Sequence, residues 1–399
     1  MKSPFSRSLL RGAVLSLVLT GAAMGAASGA LADATTGIVV TSPTASEAST
    51  WRGIAYGSGT YVAVAQSGTN RVMTSTDGTT WTSRTQAEAN DWTSIAFGNN
   101  IFVAVAPTGT NRIMTSPDGI TWTARSASSA DWKSITFGGG KFVALSYTAN
   151  TVTTSTDGIT WTTPSSLGIS NDWFGIAYGN NMFVALSSVS GTQVITSPDG
   201  VTWTARTAAE ANSWTNITYG NGLFVAVASS GTNRVMTSPN GITWTARAAA
   251  EANYWQSVAA GDGYFMAIAS SGTNRLMVST DGATWLPLAG ADAGGNWESI
   301  TYGNNTFVGV ANVGSVRVVR ATIPVVAATT TTTTSTTVTP TTETPTTVAA
   351  TTTVATKATI KKTPSGDLPA TGTNNSQLVL MALLLVVAGS VLMVRRRVR

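Results

Sequence analysis

Between residues 36 and 322, short apolar runs alternate with small polar turns. One unit shows the pattern. Trp214-Thr-Asn-Ile-Thr-Tyr-Gly220 and Leu223-Phe-Val-Ala-Val-Ala228 are separated by Asn221-Gly222. Arg234-Val-Met-Thr-Ser238 follows Ser230-Gly231-Thr232-Asn233, and Ile242-Thr-Trp-Thr-Ala-Arg247 follows Pro239-Asn240-Gly241. Runs this short, rich in β-branched and aromatic residues and bounded by Gly and Asn, predict four strands joined by tight turns.

The unit recurs. Trp51, Trp92, Trp132, Trp173, Trp214, Trp255 and Trp297 open seven similar units. Trp81, Trp122, Trp161, Trp203, Trp244 and Trp285 close six of them, which accounts for all 13 tryptophans. Four strands repeated about every 41 residues predict an all-β, seven-bladed propeller over residues 33–324. A β-solenoid is the alternative, although its coils are usually shorter. The seventh unit, Trp297 to Arg320, has three strands and no second Trp. Residues 37–51 align without a gap to residues 241–255, with Val40 in the place of Trp244. The N-terminal segment is therefore expected to supply the missing fourth strand, clasping the ring and covering its free edge.

Each third turn carries one motif, as in Ser197-Pro-Asp199-Gly200-Val-Thr-Trp203. The acid position holds Asp77, Asp118, Asp157, Asp199, Asn240 and Asp281. This resembles the Asp-box (BNR) repeat of sialidases and related propellers, shortened by one residue between Asp and Gly. The expected role is structural: the carboxylate accepts backbone N–H groups two residues on, and Gly supplies the positive φ. Asn240 argues against a ring of catalytic acids or Ca²⁺ ligands, because Asn keeps the acceptor and loses the charge.

The two ends read as addresses. Lys2, Arg7 and Arg11 precede an apolar run that ends in Ala30-Leu31-Ala32, so residues 1–32 are expected to be a signal peptide cleaved after Ala32. At the other end stands Leu368-Pro369-Ala370-Thr371-Gly372. An uncharged apolar segment over 378–394, expected to be helical, and a basic tail over 395–399 follow it. Residues 368–399 resemble the LPxTG sorting signal of Gram-positive surface proteins. The resemblance implies that a sortase cuts between Thr371 and Gly372 and joins Thr371 to peptidoglycan, so that the membrane is only a transient partner. Residues 325–367 are rich in Thr and Pro and are expected to form a disordered stalk.

Composition narrows the chemistry. The absence of Cys and His excludes disulfides, Cys- or His-ligated zinc and Ser-His-Asp triads, and no metal or cofactor is expected. The net charge of +5 suggests nucleic acid or anionic lipid. However, the two end segments carry seven of the 23 basic residues and none of the 18 acids. The processed chain stands at −2, and nucleic acid is not expected as a partner.

The candidate ligand face carries a second repeated set. Arg71, Arg112, Arg234, Arg275 and Arg317 recur after the second turn, with Thr151 and Gln193 in the same place in the third and fourth units. Glu47, Glu88, Glu210 and Glu251 recur in the inter-blade loop, and Asp91, Asp131, Asp172 and Tyr254 precede the opening Trp. Two readings are open: solvated Arg–Glu pairs that fix loops, or Arg forks that bind a carboxylated or hydroxylated ligand. Residues that break the repeat are Lys133, Lys141, Tyr147, Phe174, Asp262 and Glu298. Of these only Asp262 and Glu298 could serve a hydrolase, which in the retaining case needs carboxyls about 5 Å apart. The expected function is binding, as an adhesin or lectin-like module for a glycan or extracellular protein. A sialidase-type glycoside hydrolase and a structural coat protein are the alternatives.

Overall fold

The computed structural model describes residues 31–32, 36–189, 193–290 and 295–324. The chain divides into two units, Met1–Ala328 and Thr329–Arg399, of which the second lies outside the described residues. The signal peptide up to Ala30, the stalk, the sorting motif and the apolar 378–394 segment all fall there too.

Seven antiparallel sheets form the described part of the first unit, six of them up-and-down meanders. Blade 1 runs Trp51–Gly57, Thr60–Ala65, Val72–Ser75 and Thr82–Arg84 from the inside outward, and blades 2 to 6 repeat this order. The innermost strands touch in a closed circle, with blade 7 (Asn296–Gly303) against blade 1. Seven-bladed propeller architecture follows.

Blade 7 is built from both ends of the described chain. Val39–Thr41 pairs with Val318–Thr322, and Thr41 faces Arg320 as Thr245 faces Thr237 in blade 5. The one pair that the two ladders share thus keeps the register that the gap-free alignment predicts. Leu31–Ala32 adds a fifth, outermost strand to this sheet that the repeat does not predict. Blade 3 departs in its outer strand, which forms at Ser165–Ser166 rather than directly after Trp161. The repeat would place Pro164 in the ladder, and proline has no N–H to donate.

The core lies between sheets, one apolar layer per blade junction. The layer between blades 1 and 2 joins Val62, Val64 and Val72 to Trp92, Phe102 and Met114. All seven blade-opening tryptophans are 0% exposed. Each buries roughly 150–250 Å², worth up to about 4–6 kcal/mol at about 25 cal/mol per Å². The indole N–H groups of Trp51, Trp92, Trp132, Trp214 and Trp255 donate to carbonyls of the inter-blade loop, as where Trp92 Nε1 donates to the Glu88 carbonyl at 3.0 Å, whereas that of Trp173 is buried without a partner. The tyrosines and phenylalanines near the inner strand ends also pack between blades. The Phe137 ring fills the space beside Gly98, and Tyr178 that beside Gly138, so that a Cβ on either glycine would overlap the ring. Ala260 replaces the aromatic in blade 6, beside Gly220.

Candidate functional site

The Asp turns are hydrogen-bonded as scaffold. Asp199 Oδ1 accepts the Val201 and Thr202 N–H groups, both at 2.8 Å, and the Ser197 hydroxyl at 2.8 Å. Asp77, Asp118, Asp157 and Asp281 repeat the set. Asn240 Oδ1 accepts the Ile242 and Thr243 N–H groups at 2.9 and 3.0 Å, so the amide oxygen does the same work. The N–H groups of Thr202 and Val201 draw the Asp199 carboxyl down to about 2, and those of Thr284 and Ala283 do the same for Asp281.

The arginines also have occupied donors. Arg112 Nη1 donates to the Ala130 carbonyl at 2.8 Å, and Arg234 Nη1 to those of Ala252 and Asn253 at 2.7 Å. Arg71 reaches the Ala89 and Asn90 carbonyls, and its link to Asp91 is longer at 3.5 Å. Arg275 donates to the Gly295 carbonyl, and Arg317 to that of Ser49 at 2.6 Å. Gln193 does the same in blade 4, reaching the Asn212 carbonyl at 2.5 Å. The glutamates do not face these arginines. Glu88 accepts the Asn111 backbone N–H at 3.0 Å and the Asn111 side chain, and Glu210 holds Asn233 in the same way. The Arg–Glu pairing expected from the repeat is therefore replaced by two separate devices. Each Arg ties its blade to the next loop, and each Glu ties one loop to a turn.

What the repeat left free is the residue directly after each opening Trp. Arg52, Thr93, Lys133, Phe174, Thr215, Gln256 and Glu298 form one ring, and all seven line a cavity of about 270 Å³ in the central channel. Inner-strand Ser94, Ser134, Asn216 and Ser299 line it below them. The Trp turns into the inter-blade core and its neighbour to the axis, and a register shift directly after the Trp lets the next residue line the channel as well.

Four ring members are supported by the residue 14 positions later, at or just past the end of the paired strand. Arg52 Nε donates to Gln66 Oε1 at 2.9 Å, and Gln256 Nε2 to Ser270 Oγ at 3.1 Å. Asn312 donates to Glu298. Lys133 Nζ sits 6.0 Å from the centroid of the Tyr147 ring and 5.2 Å from that of Phe174. Tyr147 and Phe174 meet edge to face at 5.1 Å. Arg52 and Glu298 form an ion pair at 2.8 Å. Burial pushes the Glu298 carboxyl up, against the pull of Arg52 and Lys133. Burial and then the Arg52 charge hold the Lys133 ammonium below its usual value.

The structure thus brings together Lys133, Tyr147, Phe174 and Glu298 among the repeat-breaking residues. Lys141 lies elsewhere, donating to the Asp199 carbonyl in an Asp turn. Asp262 occupies a left-handed turn position, φ 50°, just past the far end of its inner strand. Its counterpart in the ring is Gln256, six residues back, which separates Asp262 from the ring level by about 20 Å at about 3.3 Å per residue. Asp262 and Glu298 therefore cannot form a carboxyl pair. Arg52 and Gln256 were not singled out in the sequence, although the position after each opening Trp varies more than its neighbours.

Comparisons with known proteins agree with this architecture. A family model described as the DUF6242 beta propeller domain matches residues 36–174 and 84–213. A second, the LPXTG cell wall anchor motif, matches residues 360–399. The chain is a cell-wall-anchored surface protein with a β-propeller. Its LPXTG motif implies covalent attachment to the wall by a sortase. No curated protein matches the chain. Among solved structures, a virginiamycin B lyase from Staphylococcus aureus superposes with a TM-score of 0.61 at 12% identity, covering 72% of this chain and 99% of the lyase. YCF48 from Cyanidioschyzon merolae gives 0.55 at 15%, covering 71% and 98%. A GH74 enzyme from Niastella koreensis gives 0.52 at 18%, covering 70% of this surface protein and 44% of the enzyme. At these identities the likeness is one of fold. The likeness of the Asp turns to sialidase repeats rests on the sequence pattern.

Proposed function

We propose that the propeller is a surface-displayed recognition module, adhesin- or lectin-like, and that it binds its glycan or extracellular protein ligand at the channel mouth. One observation carries this reading. The ring after the opening tryptophans is where a near-identical repeat carries Arg52, Lys133, Phe174, Gln256 and Glu298 around a single cavity. Concave sites with a few convergent polar groups are where ligands bind. The repeated arginines, by contrast, spend donors on backbone carbonyls. The separation of Asp262 from Glu298 favours binding over a two-carboxylate hydrolase.

The test is a binding screen of the purified full chain on glycan and matrix-protein arrays. A saturable signal is expected. Thr215→Trp, which fills the channel, should abolish it, and Ile242→Trp on an exposed Asp turn should leave it intact. Equal signals from the two variants would refute the mouth as the site.

A further inference from the structure

The seven ring positions are not equivalent, and their asymmetry specifies a ligand. Blades 6, 7 and 1 contribute Gln256, Glu298 and Arg52, a neutral polar arc whose charges cancel in the 2.8 Å ion pair. Blades 3 and 4 contribute Lys133 and Phe174, with Tyr147 behind them. Among the described residues no carboxylate lies within ion-pair distance of Lys133, and the two salt bridges present are Arg52–Glu298 and Arg71–Asp91. The seven ring positions therefore sum to one positive charge, with Glu298 acting on Lys133 only at longer range and with Asp131 and Asp172 beside Tyr147.

Three constraints follow. A part-buried cation without a direct ion-pair partner favours a single anionic group, which a carboxylate supplies through charge-assisted hydrogen bonds. Phe174 is part-buried, edge-packed on Tyr147, and lines the cavity with Lys133 Nζ 5.2 Å from its ring centroid, so fixed apolar surface and charge are presented together. The rest of the wall is hydroxyl and amide: Thr93 and Thr215, whose hydroxyls donate to backbone carbonyls and keep their acceptor lone pairs, with Asn216 and Gln256. A wall that polar suits an array of hydroxyls better than an apolar side chain. The cavity of about 270 Å³ is small beside pockets for drug-sized ligands, which start near 300 Å³. It fits one ring, not an extended chain.

We infer that the channel mouth holds one hexuronate residue of an acidic polysaccharide, with its carboxylate on Lys133, its ring against Phe174 and its hydroxyls on the Gln256 side. This rests on the reading of the mouth as the ligand site and adds the ligand class. The burial of Lys133 agrees with it, because a desolvated ammonium gains more from an anion than a solvated one.

The experiment is isothermal titration of the full chain with tetragalacturonate, the matching neutral galactose tetramer and a tetrapeptide with a free C-terminal carboxylate. The acidic sugar should bind at least tenfold tighter than either of the others. Lys133→Met keeps the side-chain stem over the rings and should weaken the acidic sugar about ten- to hundredfold, the range for a lost charge-assisted bond. Circular dichroism matching wild type confirms that the variant folds. Equal affinity for acidic and neutral tetramers overturns the inference, as does an unchanged Lys133→Met. Preference for the peptide, or no binding of any probe, overturns it as well. Thr215→Trp separates the two levels. If it abolishes whatever binding is seen, the mouth stands as the site even where the uronate fails. If binding survives it, the mouth reading itself falls.

Discussion

Deleting residues 33–45 should come close to unfolding the propeller, and the structure sets the scale. The deletion removes Ile38 and Val40, which are 0% and 1% exposed. Both belong to the layer between blades 6 and 7, with Leu276, Leu288, Phe307 and Val319. Burying two such side chains is worth about 1.5–3 kcal/mol each. The deletion also removes the ladder that pairs Val39, Val40 and Thr41 with Thr322, Ala321 and Arg320. Roughly three ladder bonds contribute about 0.5–1.5 kcal/mol each. Together these come to roughly 5–10 kcal/mol, against a total stability of about 5–15 kcal/mol for a typical domain. At about 2–4 °C per kcal/mol in a large domain, Tm should fall by at least about 10 °C. Differential scanning calorimetry of the intact chain, the 33–45 deletion and a 329–363 deletion makes the comparison. The second truncation removes a Thr-rich segment expected from its composition to bury no core, and should leave Tm unchanged. Equal melting of the two truncations would refute the clasp.

Other outcomes follow from the same geometry. The carboxyls of Asp157, Asp199 and Asp281 titrate near 2 in the folded chain, below the usual value of 3.8. Their stabilisation is therefore complete above about pH 4 and is lost as pH falls toward 2. Replacing all three with Asn should keep the turns at neutral pH, as Asn240 does, and flatten the fall of Tm between pH 4 and 2; parallel curves would contradict this. Gly98→Ala places a Cβ against the Phe137 ring and should cost about 1–3 kcal/mol or more in urea unfolding, and an unchanged midpoint would show that the ring yields freely. Lys133→Met removes a charge that burial and Arg52 disfavour more than Glu298 favours it, so it should leave the urea midpoint unchanged or raised while ligand binding weakens. A lower urea midpoint would show that the ammonium is instead a structural prop.

Much of the fold is legible in the chain because each blade is written locally and copied. Hairpin turns, buried tryptophans and Asp turns are short-range features, and six copies of the Asp motif average out individual departures. The clasp could be read as well, since residues 37–51 align without a gap to residues 241–255. Blade 3 was legible in kind but not in detail. Pro164 stands in the text, yet where pairing resumes depended on what Ser165 and Ser166 could reach, which is Val152 and Thr151.

The candidate site was the harder part, and the reason lies in hydrogen-bond satisfaction. From the sequence, Arg112 and Arg52 are both cations in polar surroundings. In the fold, Arg112 meets the Ala130 carbonyl at the neighbouring blade, and Arg317 meets Ser49 from the far end of the chain. Arg52 meets Glu298 across the junction of the first and last blades. The sequence by itself determined the blades, their number and the strand that closes them, because those depend on neighbours along the chain. Only the tertiary structure decided which polar side chains are committed to the scaffold and which face the channel, because their partners come from other blades and are placed by ring closure.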